Sequence, residues 1–419
     1  MNVTDLHFCR ACGHSLEIKL DLGEIYPSAF IPKDESSSNY QKAPLVLAQC
    51  VHCGLVQLKH TVELDSMYRQ YWYTSALNKS MLKDLKDVVE DVCSKVKFEP
   101  MDVVVDIGCN DGSMLDYYPA QVLKVGFDPA LNLKDTATKH CDVFVNDYFS
   151  ADKYELNRDM YKVKVVTAIA MFYDLPDPVK FVQEVAEILD INGVFVIQLT
   201  DLYSMLKVNA FDNICHEHLE YYRLEDLKNI LAKADFAIEH VSYNKVNGGS
   251  IRITARKYPL LPVKVFPSEE LKQALKEEAD YFEVLGDKFF HINYLINFTK
   301  AKLTGFLERV SHTDDRVLLM GASTKGNTLL QLCKITNEQI KYASEVNKEK
   351  FGLKTIGSEI EIISEEEAIK KRPDYYILLP WHFVDNIVEK QKEFLDNGGR
   401  IVVPLPKFKV INNHGGFYA

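Results

Sequence analysis

The chain has 419 residues, with 49 Lys+Arg against 60 Asp+Glu and a formal charge of −11. Apolar residues make up 47% and charged residues 26%, the balance of a globular protein long enough for two to four domains. The acidic balance disfavours nucleic-acid binding, and no apolar run approaches the roughly 18–20 residues of a membrane span. The N-terminus shows no basic-then-apolar leader. With nine cysteines, an odd number, it points to a reducing, cytoplasmic setting.

In chain order, the first feature is a pair of cysteine knuckles, Cys9-Arg-Ala-Cys12-Gly and Cys50-Val-His-Cys53-Gly. Two thiolates on each tight turn supply four soft ligands, the donor set of a closed, structural Zn²⁺ site. The insertion between the knuckles, including Lys33–Asn39, reads as a polar loop. Tyr68-Arg-Gln-Tyr71-Trp72-Tyr73 is an aromatic cluster that follows. Core packing is the default for such residues, and a hydroxyl lining an interdomain cleft is the functional alternative.

Apolar residues at 82, 85, 88, 89, 92 and 96 follow helical spacing from Ser80 to Lys97. Strands are predicted at 103–109, 124–128, 142–146, 163–169 and 193–198, with a helix at 178–189. That alternation predicts a doubly wound parallel sheet. Segments 238–246 and 250–255, joined through Asn247-Gly-Gly, predict an antiparallel hairpin. Pro262 and Pro267 mark a boundary, and residues 269–310 after the N-cap Ser268 predict a helical run almost without a breaker. Strands at 316–320, 374–380 and 400–404 then predict a second α/β domain. The expected division is a zinc-binding module at 1–65, a Rossmann-like cofactor domain at 66–260 and a second Rossmann-like domain at 261–419.

The turn Asp106-Ile-Gly108-Cys-Asn110-Asp-Gly112 lies between a strand and an expected helix, whose N-terminus would favour a polar or anionic ligand. Asp128 closes the next strand 22 positions on, where a carboxylate can hold ribose hydroxyls of a dinucleotide or of S-adenosylmethionine. The turn is not G-x-G-x-x-G, since Asn110 stands at the second glycine, and an NAD-dependent oxidoreductase is disfavoured. Beyond the fifth strand, Asn209–Tyr222 crowds ionisable and aromatic groups around His216-Glu217-His218. A histidine beside a carboxylate is a natural general base. Ser323-Thr-Lys325-Gly326-Asn327 on a later strand-to-helix turn would suit a pyrophosphate.

Four segments together resemble the nucleotide-sugar C-methyltransferases of branched deoxysugar synthesis. They are the two cysteine knuckles with Gly-Leu-Val-Gln-Leu58, Val105–Gly112, Ile214–Tyr222, and Gly321–Asn327 with Leu379-Pro-Trp-His382. The resemblance spans essentially the whole chain. It implies a zinc-binding N-terminal module, a middle domain holding S-adenosylmethionine, and a C-terminal domain holding a nucleoside-diphosphate sugar. The implied reaction methylates a carbon alpha to the ketone of a 4-keto-6-deoxyhexose, commonly C3, on dTDP or another carrier. His218 is the implied base, Glu217 its neighbour, and His216 with Tyr73 or Tyr71 would donate to the oxyanion. Asp106, Gly108, Asn110 and Gly112 are expected near the amino-acid moiety of the cofactor, Asp128 on ribose, and Asn146, Asp147 and Tyr148 around adenine. Ser323, Lys325, Gly326 and Asn327 would meet the diphosphate, and Tyr222 is a further substrate candidate. Some relatives carry Tyr immediately before His-Glu-His where this chain has Cys215. The rival readings are methyl transfer to sugar oxygen or nitrogen and, outside catalysis, a zinc-knuckle regulator.

Overall fold

A computed structural model describes residues 1–258 and 267–417. The boundary expected at residue 260, and Pro262 with it, lie outside the described residues. The middle of the chain builds a seven-stranded sheet. Five strands run parallel, in the spatial order Leu189–Leu199, Val163–Ile169, Val103–Ile107, Leu123–Phe127 and Val143–Val145. Val103–Ile107 is buried throughout, as strands covered on both faces must be. The hairpin of Phe236–Asn244 and Ser250–Lys257 adds an antiparallel edge through Ser250–Lys257. The amphipathic helix forms over Lys79–Lys95, and Asn78 caps it by accepting from the amides of Ser80 and Met81. The strand order reverses between Val103–Ile107 and Val163–Ile169, which opens a crevice beyond their C-terminal ends.

A second, nine-stranded sheet occupies the C-terminal part. Its parallel centre runs Arg400–Val403, Tyr375–Leu378, Val317–Met320, Tyr342–Glu345 and Glu361–Ser364. Its far edge comes from the other end of the chain: Phe30–Pro32 pairs with Leu353–Thr355. The inter-knuckle stretch is therefore not simply a loop. Lys33–Asn39 is non-strand, but Leu16–Ile25 and Ala43–Cys50 around it are long paired strands. They form a third sheet with Val56–Leu58 and with Glu220–Tyr221, a strand from the middle domain. The helical run at 269–310 also divides, into Glu269–Leu285 and Lys288–Ser311. Gly286, at φ +68°, ends the first helix and Asp287 caps the second. Among the described residues no helix is long and apolar enough to cross a membrane.

Candidate active site

A cavity of about 410 Å³ lies in the crevice at the sheet's switch point, within the range of small-molecule sites. Its floor is the end of two adjacent strands. Asp106 accepts a hydrogen bond from the Thr167 hydroxyl at 2.7 Å. Burial pushes its carboxyl up to about 7, against the pull of that bond, and the nearby Asp128 charge adds to the rise. Asp128 accepts from the amides of Asn110 at 2.8 Å and Ala130 at 2.9 Å, yet burial still pushes it up to about 6. Gly108 sits at φ +71°, and a Cβ there would meet the Met171 side chain at 3.0 Å, so only glycine leaves this approach open.

The turn differs from expectation in one respect: no α-helix follows it, only a short 3₁₀ turn at Leu115–Tyr117. A short 3₁₀ turn supplies no aligned helix dipole for a ligand. Polar side chains organise the turn instead. Asn110, itself at φ +55°, accepts from the Ser75 amide at 2.9 Å and donates to the Tyr73 carbonyl at 3.0 Å. Asp111 accepts from the Ala76 amide at 2.7 Å. The aromatic segment is thereby strapped across the cavity, and Tyr68, Tyr71 and Tyr73 line it. Burial raises the phenol of each.

Asp147 and Tyr148 line the cavity beyond the third parallel strand, with Asp147 ion-paired to Arg69 at 3.3 Å and Lys153 at 2.8 Å. Asn146 shapes this wall from behind, donating to the carbonyls of Asp128 at 2.9 Å and Ala130 at 3.1 Å. Gly112 does not reach the cavity; its open side faces His140 and Ala137.

At the other end, Glu217 and His218 enter from the middle domain, and Thr324 and Lys325 from the C-terminal one. The His218 ring packs at 4.1 Å on Tyr173. Burial first, and then the Lys325 ammonium, push the imidazole down to about 3, so it is neutral at physiological pH. Glu217 moves the opposite way, up to about 7, held back by Lys325 and a hydrogen bond from Thr324. Asp174 rises well above the carboxylate range because it is buried beside Glu217 and Glu220. The Tyr68 hydroxyl donates to the Glu217 carbonyl at 3.0 Å.

Several predicted residues lie outside the lining. His216 faces the N-terminal sheet, with Nε2 at 3.2 Å from the Ala43 carbonyl, so it has no line to an oxyanion in the cavity. Tyr222 is fully buried against Phe172, 5.4 Å between rings, which places it in the core rather than on a substrate. Ser323 caps the helix Thr324–Cys333 by accepting from the Gly326 amide at 3.0 Å. Gly326 packs under Leu379, and Asn327 donates to the Ala29 carbonyl at 3.2 Å. Of that turn, Thr324 and Lys325 reach the cavity. Tyr173 and Asp174 were missed from sequence. Two polar side chains just past the end of the fourth parallel strand were the available signal.

The four knuckle sulfurs lie within 4.8 Å of one another, with Cys9–Cys53, Cys12–Cys50 and Cys12–Cys53 at 3.7, 3.4 and 3.5 Å. Zn–S bonds of about 2.3 Å in a tetrahedron require an S···S edge of about 3.8 Å, so the cluster fits zinc. The Ala11 and His52 amides point at Cys9 and Cys50 sulfur, 3.4 Å each, as donors that stabilise thiolates. For S-adenosylmethionine the fit rests on two buried carboxylates, Asp106 and Asp128, opening onto a cavity that a glycine keeps clear. They offer acceptors to an ammonium and to ribose hydroxyls.

Three family descriptions match successive parts of the chain: a zinc binding domain at 9–68, a methyltransferase domain at 77–241 and a C-methyltransferase C-terminal domain at 245–406. The C-methyltransferase NovU of Streptomyces niveus is 30% identical over 414 residues, covering 96% of each chain. Among solved structures, an S-adenosylmethionine-dependent methyltransferase from Clostridium acetobutylicum matches with TM-score 0.35 and 14% identity, over 42% of this chain and 92% of that one. The magnesium protoporphyrin IX methyltransferase of Synechocystis, solved with bound cofactor, matches with TM-score 0.32 and 14% identity, over 42% and 79%. The full-length likeness to NovU, with the three matching segments in order, carries the assignment: this chain belongs to the S-adenosylmethionine-dependent C-methyltransferase family with an N-terminal zinc-binding domain.

Proposed function

We propose that the substrate is a nucleoside-diphosphate 4-keto-6-deoxyhexose, on dTDP or a related GDP, UDP or CDP carrier, and that the methylated carbon is C3, alpha to the ketone. We place the protein in the cytoplasm. S-Adenosylmethionine, which Asp106 and Asp128 would help hold, supplies the electrophilic methyl group when bound. The remaining requirement is a carbon nucleophile, and a sugar carbon becomes one only by losing a proton next to a carbonyl.

The observation that carries this reading is one shared cavity, floored by Asp106 and Asp128 and closed at its other end by Glu217, His218 and Lys325. His218 is neutral there, with one ring nitrogen bonded to the Asn213 backbone, and its other nitrogen is the one we assign to take the proton. Glu217, poised near 7, receives or returns charge beside it. The enolate oxygen needs donors, and the cavity offers the Lys325 ammonium and the hydroxyls of Tyr71 and Tyr73. One well-placed donor is worth about 3–4 kcal/mol of transition-state stabilisation. Their raised phenol pKa values keep these tyrosines protonated as donors. The tyrosine and aliphatic parts of the lining lower the local dielectric, which strengthens each of these interactions.

The test is a panel of freshly made keto-sugar nucleotides incubated with protein and cofactor, with products read by mass and NMR. A gain of one methyl on carbon, and none with the 4-hydroxy analogues, supports the reading. Methylation at oxygen or nitrogen would overturn it.

A further inference from the structure

The zinc site lies outside the cavity, yet the knuckle that builds half of it reaches the segment bearing Glu217 and His218. Arg10 sits between the zinc-site cysteines Cys9 and Cys12 and turns its side chain inward, where it is 2% exposed. Its Nε lies 3.5 Å from Oε1 of Glu220, whose side chain is fully buried. Its Nη1 donates to the Leu58 carbonyl at 2.8 Å and to the Leu219 carbonyl at 3.4 Å, and Nη2 to the Thr61 hydroxyl at 2.7 Å. The backbone adds to the same junction. Glu220 and Tyr221 pair with Gln57 and Val56, and the Leu58 amide donates to the Leu219 carbonyl at 2.8 Å.

We infer that Arg10 is a positioning residue for methyl transfer: it couples the zinc knuckle to the strand that follows His218 and fixes where the imidazole stands in the cavity. The inference rests on the proposed role of His218. A guanidinium suits the task because its donors lie in a rigid plane, so it joins two carbonyls and a hydroxyl at fixed angles while Nε faces the Glu220 carboxyl. Zinc fixes the backbone on both sides of Arg10 through Cys9 and Cys12, which leaves its side chain little freedom to swing away. Leu219 is held on its other side by Tyr173, through a 2.7 Å bond from the Leu219 amide to the Tyr173 carbonyl. The residue next to His218 is thus clamped between the N-terminal module and the Tyr173 wall of the cavity. A zinc site in a methyltransferase thereby acquires a role in geometry without touching substrate.

The experiment compares full-length, zinc-loaded Arg10→Met and Arg10→Lys with the parent protein. Zinc is counted by mass spectrometry, cofactor affinity by calorimetry, kcat and KM by methyl transfer, and local order by hydrogen exchange of the peptide covering 214–222. Arg10→Met is expected to keep one zinc per chain and a cofactor Kd within about twofold, with kcat at least tenfold lower and KM within about threefold. Exchange in 217–221 should speed up while the central strands 103–107 and 163–169 stay protected, and Arg10→Lys should recover part of kcat. Loss of zinc, exchange that rises throughout the chain, or unchanged exchange in 217–221 would each overturn the inference. If Arg10→Met does not fold, Glu220→Gln replaces the carboxyl that faces Nε with an amide of the same shape and is read the same way. The exchange readout needs no substrate, so a wrong sugar leaves this test intact. Accelerated exchange with unchanged kcat overturns the positioning role alone.

Discussion

The Lys325 ammonium lies 2.5 Å from the Asn213 amide oxygen. This contact joins the first turn of a C-terminal helix to the loop that carries Glu217 and His218. Lys325 lowers the carboxyls of Glu217, Asp174 and Asp212 and also lowers the His218 imidazole. Its ammonium faces all four of these groups. Trp381 extends the junction, donating from its indole to Asp212 at 2.8 Å.

Lys325→Met should therefore do more than weaken binding. Removing the ammonium raises Glu217 from about 7, so the acid limb of the pH profile for kcat/KM should move to higher pH. A drop of roughly 100-fold in kcat/KM at neutral pH matches the loss of about 3 kcal/mol from one oxyanion donor. Steady-state kinetics from pH 6 to 9 reads both effects.

Stability should respond to pH through the buried carboxyls of the cavity. Asp106 and Glu217 titrate near 7 and Asp128 near 6 in the folded chain, all above their unfolded values. Groups raised in this way favour the folded state while protonated, so their contribution is complete below about pH 4 and lost as pH rises through 6 to 7. The cofactor-free protein should melt at a lower temperature at pH 7.5 than at pH 5.5. Asp106→Asn should flatten that slope and weaken S-adenosylmethionine binding at least tenfold, measured by thermal shift and calorimetry.

Zinc removal should cost the fold of the N-terminal sheet. Cys9→Ser with Cys50→Ser leaves two ligands, too few for a closed tetrahedral site, and soluble yield and melting temperature should fall sharply. A stable, soluble double variant without zinc and with full activity would separate the metal from both fold and catalysis.

Cys215 stands immediately before His216-Glu217-His218. Its thiol is buried, 3.7 Å from the Asn213 carbonyl, and does not line the cavity. Cys215→Ala should accordingly leave kcat within about threefold, while truncating one buried sulfur lowers stability by about 1 kcal/mol. Kinetics and a urea melt distinguish the two outcomes.

Local patterns made much of this molecule legible. The knuckles, the acids closing two adjacent strands and the Ser268 cap each follow from a few neighbouring residues. What sequence could not supply came from pairing across long separations. Phe30–Pro32 pairs with a strand more than 300 residues away, and Glu220–Tyr221 leaves its own domain to pair with Val56–Leu58. Those pairings turn His216 toward the Ala43 carbonyl and His218 into the cavity, a distinction that spacing alone does not make. Tyr173 and Asp174 stood unremarked because their importance comes from facing Glu217 and His218 across the crevice.

In the proposed mechanism His218 removes a proton alpha to the substrate ketone. Incubating the keto-sugar nucleotide in deuterium oxide, with parent enzyme and with His218→Asn and without methyl donor, measures that step by NMR. The parent should introduce deuterium at C3, and the variant should slow this at least 1,000-fold while binding cofactor normally. Exchange at the parent's rate in His218→Asn would rule out His218 as the base.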